Sequence, residues 1–142
     1  ERSIVENRHV LNELVPGATF ESLAYPIAGP RLGTKQRAGR YFRCCRGGGQ
    51  TFNVGSMDLS LVKAFFLEKS RGDIESVKRV IDENRKACGW LIFATHDISN
   101  DPTPYGCTPS FFEETVRYSV ESGARVLPVA RALDSIASDQ GV

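Results

Sequence analysis

The sequence predicts an α/β protein, and three observations carry that prediction. Trp90 to Ala94 is an unbroken apolar run between Gly89 and Thr95-His96-Asp97. A short apolar run bounded by turn residues reads as a strand buried on both faces, as in parallel sheets. Two segments carry full helix signatures, one opening at Asp73 and one at Thr108-Pro109. Strand-like and helix-like stretches then alternate along the whole chain, which implies a parallel sheet with right-handed crossovers.

Taken in order, Ile4 to Leu14 places Ile4, Val10, Leu11 and Leu14 roughly on one side and stops at Pro16-Gly17, a helix and its terminator. Glu21 to Tyr25 reads as a short strand ended by Pro26, and Thr34 to Arg40 as a helix. Tyr41 to Cys45 follows as a strand broken by Gly47-Gly48-Gly49, and Ser60 to Glu68 is helical in composition, capped by Asp58 or Ser60. The helix after Asp73 sets Ile74, Val77, Val80 and Ile81 against a charged face and ends at Gly89. After the apolar strand and a loop, Thr108 caps a helix with Pro109 in its first turn. Phe111, Phe112, Val116 and Val120 are its apolar surface and Gly123 its end. Arg125 to Val129 reads as a last strand and Ala130 to Ala137 as a last helix. About four strand–helix repeats are too few for a complete eight-fold barrel, which takes roughly 200 residues or more. The residues therefore describe a small open sheet or a part of a larger barrel, in a single domain spanning 1–142.

Composition narrows the function classes. A net charge of +1, with Lys and Arg scattered among acids, gives no case for nucleic acid. No run of about 18 apolar residues exists, so no membrane span is expected. The charged N-terminus is unlike a signal peptide, which slightly favours the cytoplasm. Cys44, Cys45, Cys88 and Cys107 lack C-x-x-C spacing, and adjacent Cys44 and Cys45 would point to opposite faces of a strand. They read as reduced, partly buried thiols. The glycine triplet lacks the Lys-Ser/Thr of a phosphate loop, and Cys107 has no histidine to activate it. His9 reads as a surface residue and Trp90 as core. His96 stands just past the end of a buried strand, where α/β sheets keep their chemistry.

Several stretches together carry a resemblance. The run Gly89 to Asp97, then Pro104-Tyr105-Gly106-Cys107-Thr108-Pro109, then Gly123-Ala124-Arg125-Val126-Leu127-Pro128-Val129, resembles the polysaccharide deacetylase family. Upstream, Leu23-Ala24-Tyr25-Pro26-Ile27 is similar to that family's F-A-Y-P-Y-G element. Phe42-Arg43-Cys44-Cys45-Arg46-Gly47 with Asn53 is similar to the F-R-x-x-R-G…N stretch of one bacterial branch. The resemblance covers nearly the whole chain in order. It implies an irregular (β/α) barrel of about seven repeats, of which this chain supplies about four βα units. It also implies removal of acetyl or similar acyl groups from a polysaccharide or amino sugar with a divalent metal, zinc.

In that scheme His96 matches the late histidine that protonates the leaving amine, the role imidazole fills best near neutral pH. Its usual L-x-H context is here Ala94-Thr95-His96, and Asp97 is a carboxylate that could hold the imidazolium. Tyr25, Pro26 and Leu127 would shape the glycan groove, a structural turn being the competing reading of Tyr25-Pro26. Where relatives carry an Arg this chain has Ala24, and Arg46 at a strand end could replace it, with Asn53 facing the same groove. The family's Asp-Asp pair and H-(S/T)-x-x-x-H metal motif have no match, and His9 and His96 lack ligand spacing. The expectation is therefore the C-terminal part of a deacetylase domain, inactive alone, with metal ligands not in this chain and self-association left open. A non-catalytic carbohydrate-binding or interaction domain derived from the same barrel is the alternative. An unrelated small α/β binding protein is the third reading, and it predicts a self-sufficient four-strand sheet.

Overall fold

A computed structural model describes residues 1–139 as a mixed α/β arrangement of five helices and four short strands. The helices are α1 (Arg2–Leu14), α2 (Leu32–Ala38), α3 (Ile74–Lys86), α4 (Pro109–Glu121) and α5 (Val129–Asp139); the strands are β1 (Ser22–Ala24), β2 (Cys44–Arg46), β3 (Phe65–Phe66) and β4 (Phe93–Ala94). β1 pairs β2 and β3 pairs β4, both parallel, with Ala24 opposite Arg46 and Phe66 opposite Ala94. A parallel bridge from Arg46 to Val62 joins the two pairs, closed by Val62 N to Cys45 O at 2.9 Å and Gly47 N to Val62 O at 2.8 Å. The strands thus lie side by side in chain order. The described residues do not close a barrel, since β1 and β4 each pair with one strand only. Among the described residues no helix is long and apolar enough to cross a membrane.

Side chains alternate across this sheet as the pleat requires. Cys44, Val62, Ala64 and Ile92 form one face, and Leu133 of α5 packs into it with Val129 and Trp90 at its margin. On the other face Phe65 meets Phe93 edge-on and packs against Val77, Val80 and Ile81 of α3, while Cys45 packs with Tyr25 and Ala38 of α2. Helices therefore cover both faces.

The two signature helices form as their caps dictate. Asp73 accepts from Glu75 N and Ser76 N, and Thr108 accepts from Phe111 N with Pro109 in the first turn. In α4, however, the buried positions beyond Phe111 and Phe112 are Thr115 and Ser119, whereas Val116 and Val120 are exposed. Their hydroxyls are satisfied within the helix, Thr115 on Phe111 O at 2.9 Å and Ser119 on Thr115 O at 2.7 Å, which lets polar residues occupy the packed stripe. At the end of α3 the left-handed position falls on Cys88 rather than Gly89. Gly89 is needed for closeness instead, because a Cβ there would sit 2.6 Å from Asn84 Oδ1 and 2.9 Å from Asn53 O. α1 forms as expected, yet it has no buried residue, and Val10 and Leu14 of its apolar side are exposed.

Two expected elements are corrected. Ser60 to Glu68 is not a helix: Asp58 caps a turn through Ser60 N, Val62 to Phe66 runs extended, and Leu67–Ser70 is a single 3-10 turn. Good helix formers fill this stretch, but its Val62/Ala64 versus Phe65 alternation fits a two-sided strand, and pairing with neighbours overrides propensity. No helix therefore separates β2 from β3, which breaks the strict βα repeat. Arg125 to Val129 is not a strand either; 124–128 has no regular structure and Val129 already opens α5. Pro128 lies in that run, has no N–H for a ladder, and gives its carbonyl to Ala132 N. The other strands are shorter than expected. Tyr41 and Phe42 turn out of α2 onto Ala38 O, so pairing starts at Cys44, and Trp90 bridges antiparallel to Asn53 before the ladder at Phe93.

The thiols follow burial. Cys44, Cys45 and Cys107 are buried and Cys88 is exposed, and burial pushes the Cys44 thiol up to about 11. At pH 8 that leaves about a thousandth of Cys44 as reactive thiolate. A colorimetric thiol assay should find one fast-reacting cysteine and three that respond only after denaturant is added; three or four fast thiols would contradict this packing.

Candidate functional site

Parallel strands in chain order bring their C-terminal ends to one side of the sheet, and four predicted site residues lie there. Tyr25 and Pro26 follow β1, Arg46 ends β2, and His96 stands two residues past β4. His96 is exposed; its backbone N donates to Tyr105 O at 3.1 Å, and its ring lies 5.4 Å from the Tyr105 ring at 41°. Tyr105 is itself exposed, so the two rings form an open aromatic corner at the strand end.

Asp97 does not hold the imidazole through a hydrogen bond. Its carboxylate accepts from Thr103 N at 2.9 Å and from Thr103 Oγ1, and these bonds hold its pKa below the usual carboxylate range, with a smaller contribution from the charge of His96. It braces the loop 97–107, whose ends meet through Cys107 N on Asp97 O and Ser99 N on Cys107 O. Gly106 completes that brace, since a Cβ would lie 2.3 Å from Asp97 Oδ1. Asp97 thus positions the corner beside His96 by shaping its loop.

The remaining predicted residues divide. Tyr25 is buried and donates its hydroxyl to Ser60 O at 2.9 Å; burial, more than the neighbouring Cys45, pushes its phenol up. Pro26 is exposed. Asn53 is buried between strands, with Nδ2 donating to Lys63 O at 2.9 Å and Trp90 O at 3.0 Å and Oδ1 accepting from Lys63 N at 2.8 Å, so its amide is fully engaged with backbone. Leu127 is exposed on the irregular stretch before α5. Apart from Tyr25 N on Arg46 O at 2.9 Å, no hydrogen bond joins two of these residues. His9 is exposed on α1, 3.2 Å from Glu13.

Arg46 has the most distinctive surroundings. Its guanidinium is half-buried 5.6 Å from the centre of the Phe66 ring, and burial lowers its pKa. Lys69, in the 3-10 turn after β3, approaches the same ring at 5.1 Å. Phe66 and Lys69 were not legible as site residues, because a helical reading of 60–68 hid the strand end that presents them. Two surface hollows lie elsewhere, one between α3 and α4 lined by Asp82 and Tyr118, one under α1 lined by Arg8 and Arg43. Neither includes Tyr25, Arg46 or His96.

Among the described residues no three His, Cys, Asp or Glu side chains gather closely enough to hold a metal. The zinc implied by the resemblance finds no ligand set there, and no chemical step is derived through it. No family model, curated protein or solved structure matches the chain.

Proposed function

We propose that this chain belongs to a hydrolase domain that removes acetyl groups from an amino-sugar glycan, with His96 as its general acid. The observation that carries the reading is the sheet: parallel strands side by side in chain order, with an exposed histidine past the end of β4. Parallel strands in chain order are an arrangement that a (β/α) barrel shares with open α/β sheets, and both keep their chemistry at the C-terminal strand ends. Water adds to the acetyl carbonyl carbon and supplies the second oxygen of acetate. As the C–N bond of that tetrahedral species breaks, the protonated His96 ring gives its proton to the departing nitrogen, which leaves as the amine, and the proton lost by the water restores His96. Asp97 holds the loop that presents the ring, and Tyr105 packs beside it. The non-catalytic glycan-binding alternative draws support from α5, which covers one sheet face with Leu133.

The test is acetate release from N-acetylated chitooligosaccharides by the protein in its native form, with intact mass and zinc content read on the same sample. About one metal per chain is expected, in a species heavier than 15.6 kDa. His96→Ala should lower turnover by about 10²–10⁴-fold with glycan affinity kept. A 15.6 kDa species that holds no metal and releases no acetate would overturn the enzyme reading and favour the binding one.

A further inference from the structure

We propose that Arg46 and Lys69, set around the Phe66 ring, form a subsite for the oxyanion, carboxylate or phosphate, of an acidic sugar. The sugar class rests on the glycan reading above; the oxyanion site does not.

Several Lys and Arg side chains already have an acid. Lys35 pairs with Asp58, Arg43 with Glu21 and Asp134, Lys78 with Glu75 and Glu114, and Arg117 with Glu114 and Glu121. Arg46 and Lys69 have neither an ion pair within 4.0 Å nor a side-chain hydrogen bond to any described residue; their contacts are with the face of Phe66. Glu68 stands next to Lys69 in sequence, yet it pairs with neither cation, and its Oε2 is buried with no hydrogen-bond partner.

Leaving a guanidinium half out of water without an acceptor is unfavourable, and attraction to the ring offsets only part of that cost. The two positive groups lie 5.6 Å and 5.1 Å from the centre of the same ring and neither has an acid, so an oxyanion bound there supplies the missing acceptor. The planar guanidinium fork offers paired N–H donors that fit a carboxylate or a phosphate, and the ammonium adds a second charge. The placement suits a ligand arriving at the strand ends, because Arg46 ends β2 and Lys69 follows β3.

The experiment is an amide NMR titration of the protein in its native form with glucuronate, glucose 6-phosphate, glucose and inorganic phosphate. Saturable shifts at 46–50 and 66–70 are expected with an acidic sugar, at least about tenfold tighter than with glucose. The stronger of glucuronate and glucose 6-phosphate identifies the source of the oxyanion. Arg46→Gln and Lys69→Gln should each weaken that ligand by about tenfold, and added salt should weaken it further. Lys69 is exposed, so its variant tests the site even where Arg46→Gln disturbs folding. Acidic and neutral sugars binding alike, or unchanged affinity in Lys69→Gln, would overturn the subsite. Inorganic phosphate binding as tightly as both acidic sugars would overturn its assignment to a sugar. No acetate is measured, so loss of the deacetylase reading leaves these outcomes intact.

Discussion

Asn53→Ala should destabilise the protein by about 2–4 kcal/mol, because it leaves part-buried backbone groups without partners. In the wild type one side-chain amide closes the gap between the run into β3 and the run into β4, giving Nδ2 to Lys63 O and Trp90 O and taking Lys63 N on Oδ1. The main chain adds Asn53 N to Trp90 O and Trp90 N to Asn53 O. Removing the amide deprives the Lys63 N–H of its acceptor and the Lys63 carbonyl of its donor, each orphaned group costing about 1–3 kcal/mol. Trp90 O keeps the Asn53 main-chain donor, so the loss there is smaller. Thermal unfolding should drop by roughly 5–15 °C, and urea midpoints should fall in step. Asn53→Asp should fare no better, since its carboxylate keeps an acceptor for Lys63 N but turns oxygen toward two carbonyls. A residue that only contacted substrate would behave in the opposite way, losing affinity at unchanged stability. Wild-type melting in both variants would restore Asn53 to the groove.

That residue also shows where sequence reading stops. Asn53 stands out in the sequence by its place in a motif, but its partners come from the distant runs into β3 and β4, and an amide carries no mark of which backbone it will clamp. Local signals fared better. The caps at Asp73 and Thr108, the stop at Pro16-Gly17 and the opposed faces of Cys44 and Cys45 were all legible, since each depends on a few adjacent residues. The stretch 60–68 was lost because Leu, Lys, Ala and Glu favour helices, while the pairing of Arg46 with Val62 and of Phe65 with Phe93 is non-local. Arg125 to Val129 carried its own warning in Pro128. At the site, His96 was found by its place past an apolar strand. Its true neighbours, Tyr105 through the ring and Thr103 through Asp97, come from a loop whose closure no spacing rule foretells.

Leu133→Ala should cost about 2–4 kcal/mol, the usual range for truncating a buried leucine whose surroundings relax only in part. Leu133 is the buried anchor of α5, packed among Cys44, Val62, Ala64 and Ile92. The nearby ion pair, Arg43 to Asp134 at 2.8 Å, is exposed and also shared with Glu21, so Asp134→Ala should change stability by less than about 1 kcal/mol. The contrast between the two variants assigns the seat of α5 to apolar packing. It also decides what the sheet is. In a closed barrel the face formed by Cys44, Val62, Ala64 and Ile92 would look inward at other strands, whereas here a helix lies on it. A large loss in Leu133→Ala means that α5 holds that face and the strands form an open sheet covered on both sides. A loss below about 0.5 kcal/mol, the size expected of an uninvolved surface position, means that α5 is not seated there and the face is open to further strands.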